Sequence, residues 1–554
     1  MRLILPAGLL LLAAFSVSAC MQNAPDRIFV NGVVWTGDEA GSFAEAFAVD
    51  DSTFSIIGSN KDVRAAAGSN TEVVDLGGAF VVPGLIDNHT HFLTGGFQLA
   101  SVDLRSADSP EEFARRIGAF AETLPAGRWI LGGDWDHEAW GGRLPERDWI
   151  DAVTPDNPVF VNRLDGHMAI ANSRAMDLAG ITAETETPEG GEIVRYASGR
   201  PTGVLKDDAM DLMYAVIPDP SEKELDEALE RAAEHALSNG VTQIHDVGSY
   251  GGWTDLATFQ RAKAANRLPL RVYSLVPLST YERLDEYVVA NGRGDEWLHW
   301  GALKGFVDGS LGSTTAWFYE PYADAPGTSG ILINDTTAIR QDIIAADGRG
   351  LHVAVHAIGD RANDWLLGVY ADVEAMHGPR DRRYRIEHAQ HLSTAAIPRF
   401  AELGVVPSMQ PYHAIDDGRW AEKRIGPERI KTTYAFKSLL DAGANLTFGS
   451  DWTVAPIDPI EGIYAAVTRR TIDGANPGGW VPEQKITVEE ALRAYTSNSA
   501  WAGFAEAYSG SIEQGKGADF VVLSENLFDI DPVAIADVRV LRTVVGGVDR
   551  FRGE

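Results

Sequence analysis

Short apolar runs and amphipathic helical patterns alternate through the middle of the chain. The clearest helical pattern covers residues 221–240, where Ser221 and Glu224 match a capping box and Gly240 supplies the stop. Eight apolar runs have the length of buried β-strands. They cover residues 81–91, 241–248, 271–278, 302–310, 351–359, 384–392, 404–412 and 445–452. Eight strands alternating with helices predict an α/β fold, a (β/α)8 TIM barrel, whose active site lies at the C-terminal ends of the strands.

The two ends of the chain have a different pattern. In residues 27–82 and 510–554, apolar and polar positions alternate over short runs separated by turn residues, as in small β-strands and hairpins. The sequence therefore predicts one composite β-sandwich built from both ends, with the barrel between them over residues 83–509. Residues 92–240 are too many for one connection between strands, so we expect an inserted α/β substructure there, lying as a lid over the active-site face.

The first 20 residues form a separate segment. Arg2 precedes an apolar run that ends near Phe15, and small residues lead from there to Cys20. This pattern is typical of a secretory signal peptide and is too short for a membrane span. Its end resembles a bacterial lipobox, with Cys20 as the lipid-attachment residue. We expect a tether over residues 21–26 and a lipid-anchored protein in the bacterial cell envelope, at the periplasmic face of the outer membrane; the alternative is an ordinary cleaved leader.

Composition and charge narrow the functional classes. The chain has 554 residues, 45% hydrophobic and 23% charged, which is typical of a folded globular protein. Its formal net charge of −32 disfavours nucleic-acid partners and opposes contact with anionic lipid, so a membrane contact would depend on the lipid anchor. Cys20 is the single cysteine, which excludes a disulfide within the chain and metal sites built from two to four thiolates. Metal chemistry would therefore rely on the 13 histidines and on carboxylates.

Several predicted strands carry metal-binding side chains near their ends. His89 and His91 are two residues apart on the first strand, so both side chains leave the same face and can reach one metal. Further candidates lie on the fourth, fifth, sixth and eighth strands: Lys304, His356, His388 and Asp451. Because the C-terminal strand ends meet at one face of a barrel, these side chains are expected to converge.

The motifs around these residues resemble the amidohydrolase superfamily, and more closely its family 3 branch of N-substituted formamide deformylase-like enzymes. The similar segments extend over nearly the whole chain after the leader and cover 81–92, 166–175, 303–322, 356–362, 385–390, 449–452 and 510–523. The resemblance implies that one or two divalent metal ions bind in a barrel beside a composite β-sandwich. The ligands carried over by position are His89, His91, Lys304, His356, His388 and Asp451.

The residue types agree with this chemistry, since imidazole and carboxylate donors suit zinc. A lysine ammonium group cannot bind a metal, and the resemblance implies that CO₂ carboxylates Lys304 into a ligand that bridges two ions. Metal binding would lower the pKa of a shared water to about 7, and Asp451 would pass its proton to the leaving amine. We therefore expect a metal-dependent amidohydrolase that cleaves a carbon–nitrogen bond, an amide or an N-acyl or N-formyl group, of a small organic substrate.

Alternatives stay open at several positions. Lys304 could pair with Asp308 as an ordinary ammonium group, which would leave a mononuclear site, and Lys206 is a rival bridging lysine. His352 is expected in the core, and Glu387 is a candidate for orienting a ligand. Candidate substrate contacts lie in the insertion and in a strand-end loop, although the aromatic ones could equally be packing residues. They are His167, His137, Trp135 and Trp317.

Two other functions fit parts of the sequence. One is a mononuclear aminohydrolase that deaminates a heterocycle, but such sites usually carry a glutamate shortly after the histidine of the fifth strand, and residues 357–362 contain none. The other is a catalytically inactive, lipid-anchored binding protein that keeps the barrel as a scaffold. Intact residues at the expected ligand positions argue against it. The sequence leaves the substrate and the oligomeric state open.

Overall fold

The computed structural model describes residues 24–163, 168–188, 191–248, 252–312 and 314–553. Cys20 and the leader lie outside these residues, so the lipid anchor and the envelope location stay predictions. Among the helices that are described, none is both long enough and apolar enough to cross a bilayer.

The described chain opens with seven short strands and one helix, in accord with the alternating pattern there. They are β1 (Arg27–Val30), β2 (Val33–Trp35), β3 (Phe43–Ala44), β4 (Ala46–Asp50), β5 (Thr53–Gly58), α1 (Asn60–Ala66), β6 (Glu72–Asp75) and β7 (Phe80–Pro83). A four-stranded sheet has the order β5-β4-β1-β6. The remaining three strands belong to a second sheet, which the end of the chain completes.

The first barrel strand and an inserted sheet follow. The elements are β8 (Leu85–Thr90), α2 (Phe92–Leu99), α3 (Pro110–Ala121), β9 (Ile130–Trp135), β10 (Val159–Arg163), β11 (Met168–Ala171), α4 (Ser173–Leu178), β12 (Gly191–Arg195), β13 (Pro201–Asp207) and α5 (Asp211–Tyr214). The five inserted strands form their own sheet in the order β12-β13-β11-β10-β9, with separate apolar clusters on its two sides.

The rest of the barrel alternates strands and helices. The elements are α6 (Glu222–Ser238), β14 (Val241–Asp246), α7 (Trp253–Ala264), β15 (Arg271–Pro277), α8 (Tyr281–Asn291), β16 (Leu298–Phe306), α9 (Thr336–Gly348), β17 (His352–Ala357), α10 (Asp360–His377), β18 (Arg385–His388), α11 (Ala396–Glu402), β19 (Val406–Met409), α12 (Pro411–Asp417), α13 (Ala421–Arg429), α14 (Phe436–Asp441) and β20 (Thr447–Phe448). The capping box of Ser221 and Glu224 forms at the start of α6 as predicted.

The eight barrel strands form one parallel sheet, which confirms the predicted fold class. Their order is β8-β14-β15-β16-β17-β18-β19-β20, the order of the chain. The ends of the sheet are joined where Asp451 N–H donates to the His89 carbonyl at 2.8 Å and His91 N–H donates to the Trp452 carbonyl at 2.7 Å. The joining residues are thus themselves candidate ligands, and barrel closure fixes their relative position.

The C-terminal residues return to the sandwich. The last elements are α15 (Pro459–Thr468), α16 (Val488–Ala494), α17 (Ser497–Ala502), β21 (Phe520–Leu523), β22 (Val540–Val545) and β23 (Val548–Arg552). The second sheet has the order β23-β22-β21-β7-β2-β3, so strands from both ends of the chain share it. Phe29, Phe47 and Phe520 meet in the sandwich core with ring centroids 4.8–4.9 Å apart.

The contact between α2 and α6 gives a testable prediction about packing. A Cβ atom on Gly96 of α2 would lie 1.9 Å from the carbonyl oxygen of Ala228 in α6. Gly96→Ala should therefore separate two backbones and lower the free energy of unfolding by about 1–3 kcal/mol, measured by urea denaturation. Gly368→Ala in α10 is the matched control, since its new Cβ meets no atom within 4 Å and should add about 1 kcal/mol through helix propensity. A Gly96→Ala protein as stable as the wild type would contradict this packing argument.

Candidate metal centre

Two imidazole rings of the first barrel strand, those of His89 and His91, lie beside the carboxylate of Asp451. Nδ1–H of His89 donates to the Glu387 carboxylate, and Nδ1–H of His91 donates to the Gly248 carbonyl at 2.7 Å. Each ring therefore keeps an unprotonated Nε2, as a metal-binding imidazole requires. These Nε2 atoms lie 3.5 Å (His89) and 3.6 Å (His91) from Oδ1 of Asp451. The three side chains form a group of donors that could hold a metal ion.

The fifth and sixth strands supply two further imidazoles. Nδ1–H of His388 donates to Oε1 of Gln410 at 2.7 Å, and Nε2–H of His356 donates to the Gly309 carbonyl at 3.1 Å. One nitrogen of each ring is again left without a proton. The ring centroids of His356 and His388 are 4.5 Å apart, and those of His388 and His89 are 4.9 Å apart. The structure therefore brings together the four histidines expected at the strand ends.

Lys304 lies between these imidazoles, on β16. Its side chain is buried, with Nζ 3.4 Å from Nε2 of His89. Burial lowers the pKa of Lys304 to about 8, although the nearby Glu387 and Asp451 carboxylates raise it. Burial therefore increases the fraction of neutral amine near neutral pH, and the neutral amine is the form that can react with CO₂.

Asp451 occupies the point where the barrel closes. Burial raises its pKa to about 7, while the neighbouring Lys304 acts in the opposite direction. Asp451 and His388 both have left-handed backbone conformations, with φ of 59° and 74°. Such conformations are unfavourable for residues other than glycine and often occur at functional sites. The fold therefore holds one candidate ligand from β18 and another after β20 in a fixed, strained backbone geometry.

The donor set fits a divalent metal ion. Burial lowers the pKa of His91 to about 4 and that of His356 to about 3, and it holds the pKa values of His89 and His388 well below the usual range. All four imidazoles are therefore neutral at pH 7, which is the form that binds metals. Neutral nitrogen donors with a carboxylate suit zinc and similar ions.

A buried polar network below the centre orients His89. Glu387, which accepts from His89, also accepts from Nε of Arg385 at 2.7 Å. Arg385 is fully buried and donates further to Nδ1 of His245 at 2.9 Å and to the Asn88 carbonyl at 2.6 Å. Sequence analysis identified Glu387 as an orienting residue but missed Arg385. The signal was the spacing of two on β18, which sends both side chains into the barrel.

His413 is a second residue that sequence analysis missed. It lies on α12, just after the seventh strand, and a ring nitrogen of it falls within 4.8 Å of donor atoms of His388 and Asp451. Its position directly after a strand end was a usable signal, because that is where the other candidate ligands lie.

The structure decides between the alternative roles considered for Asp308, Lys206 and His352. Asp308 accepts three backbone N–H bonds from the loops after β16 and β17, so it is not held as an ion-pair partner of Lys304. Lys206 pairs with Glu192 at 2.7 Å in the inserted sheet, which removes it as a bridging ligand. His352 is a core residue as expected, because both ring nitrogens have protein hydrogen-bond partners.

One candidate substrate contact in the insertion needs correction. Trp135 is fully buried in the core of the inserted substructure, and its Nε1–H donates to the Val161 carbonyl at 2.8 Å. It is therefore a packing residue. A tryptophan beside glycines predicts a pocket wall and a core position equally well. Here the indole ring packs in the apolar cluster of the inserted substructure. His137 follows the same strand and accepts from Nε of Arg163 at 3.3 Å.

Of the remaining two candidate substrate contacts, Trp317 lies among the described residues and His167 does not. Trp317 lies in the loop after β16 and is partly buried, with the Arg361 guanidinium 4.4 Å from its ring centroid. Its backbone N–H donates to Asp308 at 2.6 Å, close to the fifth-strand histidine His356. His167 lies outside the described residues. The substrate roles of Trp317, His137 and His167 stay predictions.

Comparisons with known proteins agree with this geometry. The sequence model described as "Amidohydrolase family" matches residues 72–549. The chain is 42% identical over 532 residues to Protein LONG AFTER FAR-RED 3 of Arabidopsis thaliana, covering 94% of this chain and 91% of that protein. It is 31% identical over 550 residues to N-substituted formamide deformylase of Arthrobacter pascens, covering 96% and 99%. The crystal structure of an uncharacterized metal-dependent hydrolase from Pyrococcus furiosus has a TM-score of 0.76 and 31% identity, covering 92% of this chain and 99% of that one.

Proposed function

This chain belongs to the amidohydrolase family, and we propose that it hydrolyses a carbon–nitrogen bond, of an amide or an N-acyl or N-formyl group, in a small organic molecule. The family match and the related hydrolase structure make it a metal-dependent hydrolase. The observation that carries the proposal is the convergence of neutral imidazoles on Asp451 at the C-terminal end of the barrel. The identity with N-substituted formamide deformylase supports the type of bond.

The proposed cofactor is a pair of divalent metal ions, with zinc as the best match to the donors. His89, His91 and Asp451 would hold one ion, and His356 and His388 would contribute to the other, with Lys304 between them. When bound, such ions lower the pKa of a water ligand and polarise a substrate carbonyl group. The network of Glu387 and Arg385 keeps the His89 ring oriented for this role.

Asp451 is the proposed proton carrier. Its pKa, raised by burial to about 7, lets the carboxylate accept a proton from the attacking water and release it near neutral pH. The receiving atom is the nitrogen of the leaving amine. One water is added across the bond, and the products are a carboxylic acid and an amine. His89 and His91 face the same carboxylate oxygen through their unprotonated Nε2 atoms.

Lys304 is proposed to become a carbamate. The ammonium group first gives up one proton to become a neutral amine, and the amine then attacks the carbon of CO₂ and loses a second proton to solvent. The side chain thereby changes from a cation to an anion with two ligand oxygens. The lowered pKa of the buried amine favours this reaction. The anion would also offset the positive charge that two metal ions bring into a buried site.

Hydrolysis of defined amides tests the proposed function. We expect the purified protein, loaded with Zn²⁺, to hydrolyse one or more of a panel of N-formyl amines, N-acyl amines and cyclic amides, with release of a free amino group. Removal of metal with a chelator should abolish this release, and Zn²⁺ should restore it. An amino-substituted heterocycle serves as the matched competing substrate. Release of ammonia from it, with every amide left intact, would contradict the proposal and favour a deaminase.

A further inference from the structure

A second group of donor atoms extends the metal centre toward the seventh strand. Ring nitrogens of His388 and His413 and a carboxylate oxygen of Asp451 all lie within 4.8 Å of one another. Asp451 also belongs to the group with His89 and His91. Two donor groups therefore share one carboxylate, which is an arrangement suited to two neighbouring metal ions.

His413 carries a buried nitrogen with no assigned role. Its Nε2 atom is buried and has no hydrogen-bond partner among the described residues. His388 differs, because its Nδ1–H is fixed by Gln410 and only its other nitrogen is free. Buried polar atoms are nearly always paired in folded proteins, so an unpaired one indicates a ligand, ion or water that completes the site.

The local backbone places the His413 side chain beside the candidate ligand His388. Gln410 is the N-cap residue of α12, and Pro411 occupies the first turn, where its fixed φ favours helix formation. The same short segment therefore presents Gln410 to His388 and, three residues later, presents His413. The rings of His388 and His413 are nearly parallel, 15° apart, with centroids separated by 6.5 Å. This segment thus orients the His388 ring through Gln410 and places the His413 ring next to it.

We propose that His413 is a metal ligand, and that with His388 and Asp451, at the ends of the sixth, seventh and eighth strands, it holds the second ion, to which His356 also contributes. This inference rests on the proposed metal-dependent function and adds to it a ligand from the seventh strand. Two neutral imidazoles and a carboxylate are a suitable donor set for a first-row divalent ion. The donors His89 and His91 hold the other ion through the shared Asp451.

Metal binding by His413→Gln tests the assignment, because glutamine keeps the polarity and approximate size of the side chain but is a poor ligand. The protein is saturated with Zn²⁺, dialysed, and analysed for metal per chain, and the affinity is measured by competition with a chromophoric chelator. We expect the variant to lose one of about two ions or to bind it at least ~10-fold more weakly. With Co²⁺ in place of Zn²⁺, the visible absorption spectrum of the variant should also change.

Two further variants give the control and a second test. His377→Gln makes the same exchange in the last turn of α10, where Nδ1 bonds to Asp347, and it should leave the metal content unchanged. His413→Asp, which restores a ligating oxygen, should recover metal binding, and it carries the test if circular dichroism shows that the glutamine variant does not fold. Wild-type metal content and affinity in folded His413→Gln would overturn the inference, even if KM rises. A wild-type protein that binds no metal would overturn the proposed function itself.

Discussion

Asp451→Asn is expected to lower kcat for the amide substrate by about 10³-fold, within the range that general acid–base groups contribute. Asparagine keeps the shape of the side chain but cannot carry the proton to the leaving amine. It also removes the negative charge that faces Nε2 of His89 and of His91, at 3.5 and 3.6 Å. The measurement is steady-state kinetics on the amide identified by the substrate panel, together with metal content per chain.

The control for this variant is Asp441→Asn at the end of α14, where the side chain pairs with Lys437 near the surface. It makes the same chemical change outside the centre and should keep kcat within about twofold, because surface substitutions of this kind have small effects. Metal-replete Asp451→Asn protein with kcat within tenfold of the wild type would remove Asp451 from the role of proton carrier.

Lys304→Ala is expected to reduce the metal content from about two ions to about one and to lower kcat/KM by at least ~10²-fold. The reason is the loss of the proposed carbamate bridge, which lies beside His89, with Nζ 3.4 Å from its Nε2. Shortening a buried lysine to alanine leaves a cavity, and a small carboxylate such as propionate should partly restore metal binding and activity by occupying it.

Lys206→Ala is the matched control, since Lys206 pairs with Glu192 in the inserted sheet and should not affect the metal content. Growth with ¹³C-labelled bicarbonate should give a carbamate carbon resonance in the wild type and in Lys206→Ala but not in Lys304→Ala. Two tightly bound ions and full activity in Lys304→Ala would show that no bridging ligand is needed from this position.

The barrel and the convergence of most of the candidate ligands were predictable because their signals are local. Each strand is a short apolar run, and the side chains His89, His356 and His388 lie near strand ends, where a parallel barrel must bring them together. The spacing of two between His89 and His91 already implied a shared face. Closure of the barrel through Asp451 then followed from the strand order, since the eighth strand returns to the first.

The features that were missed depend on long-range contacts. His413 lies on a helix, and only the assembled barrel shows that it reaches Asp451. Arg385 is a charged residue at the start of a buried strand, and its partners His245 and Asn88 come from distant parts of the sequence. For Trp135 the sequence left a pocket wall and a core position equally open, because what decides between them is which other apolar side chains surround the indole.

The insertion shows the limit of boundary prediction. The length of residues 92–240 indicated an inserted substructure. Its two end helices, α2 and α6, instead pack on one another and on the barrel core. The inserted sheet lies between these helices in the sequence. An amphipathic helix has the same pattern in both settings, so composition does not separate them. The distinction comes from contacts such as that of Gly96 with Ala228.

The sheet that both ends share also sets the time at which the protein can finish folding. β7 pairs with β21, and Arg27 bonds to Asp549, which is 522 positions later in the chain. At roughly 5–20 residues per second, synthesis of that interval takes about 25–100 s. Once β7 has been synthesised, and for most of this time, the nascent chain presents it as an open strand edge, which is a site for aggregation. Assembly of the sandwich can therefore be completed only after β21, β22 and β23 have been synthesised.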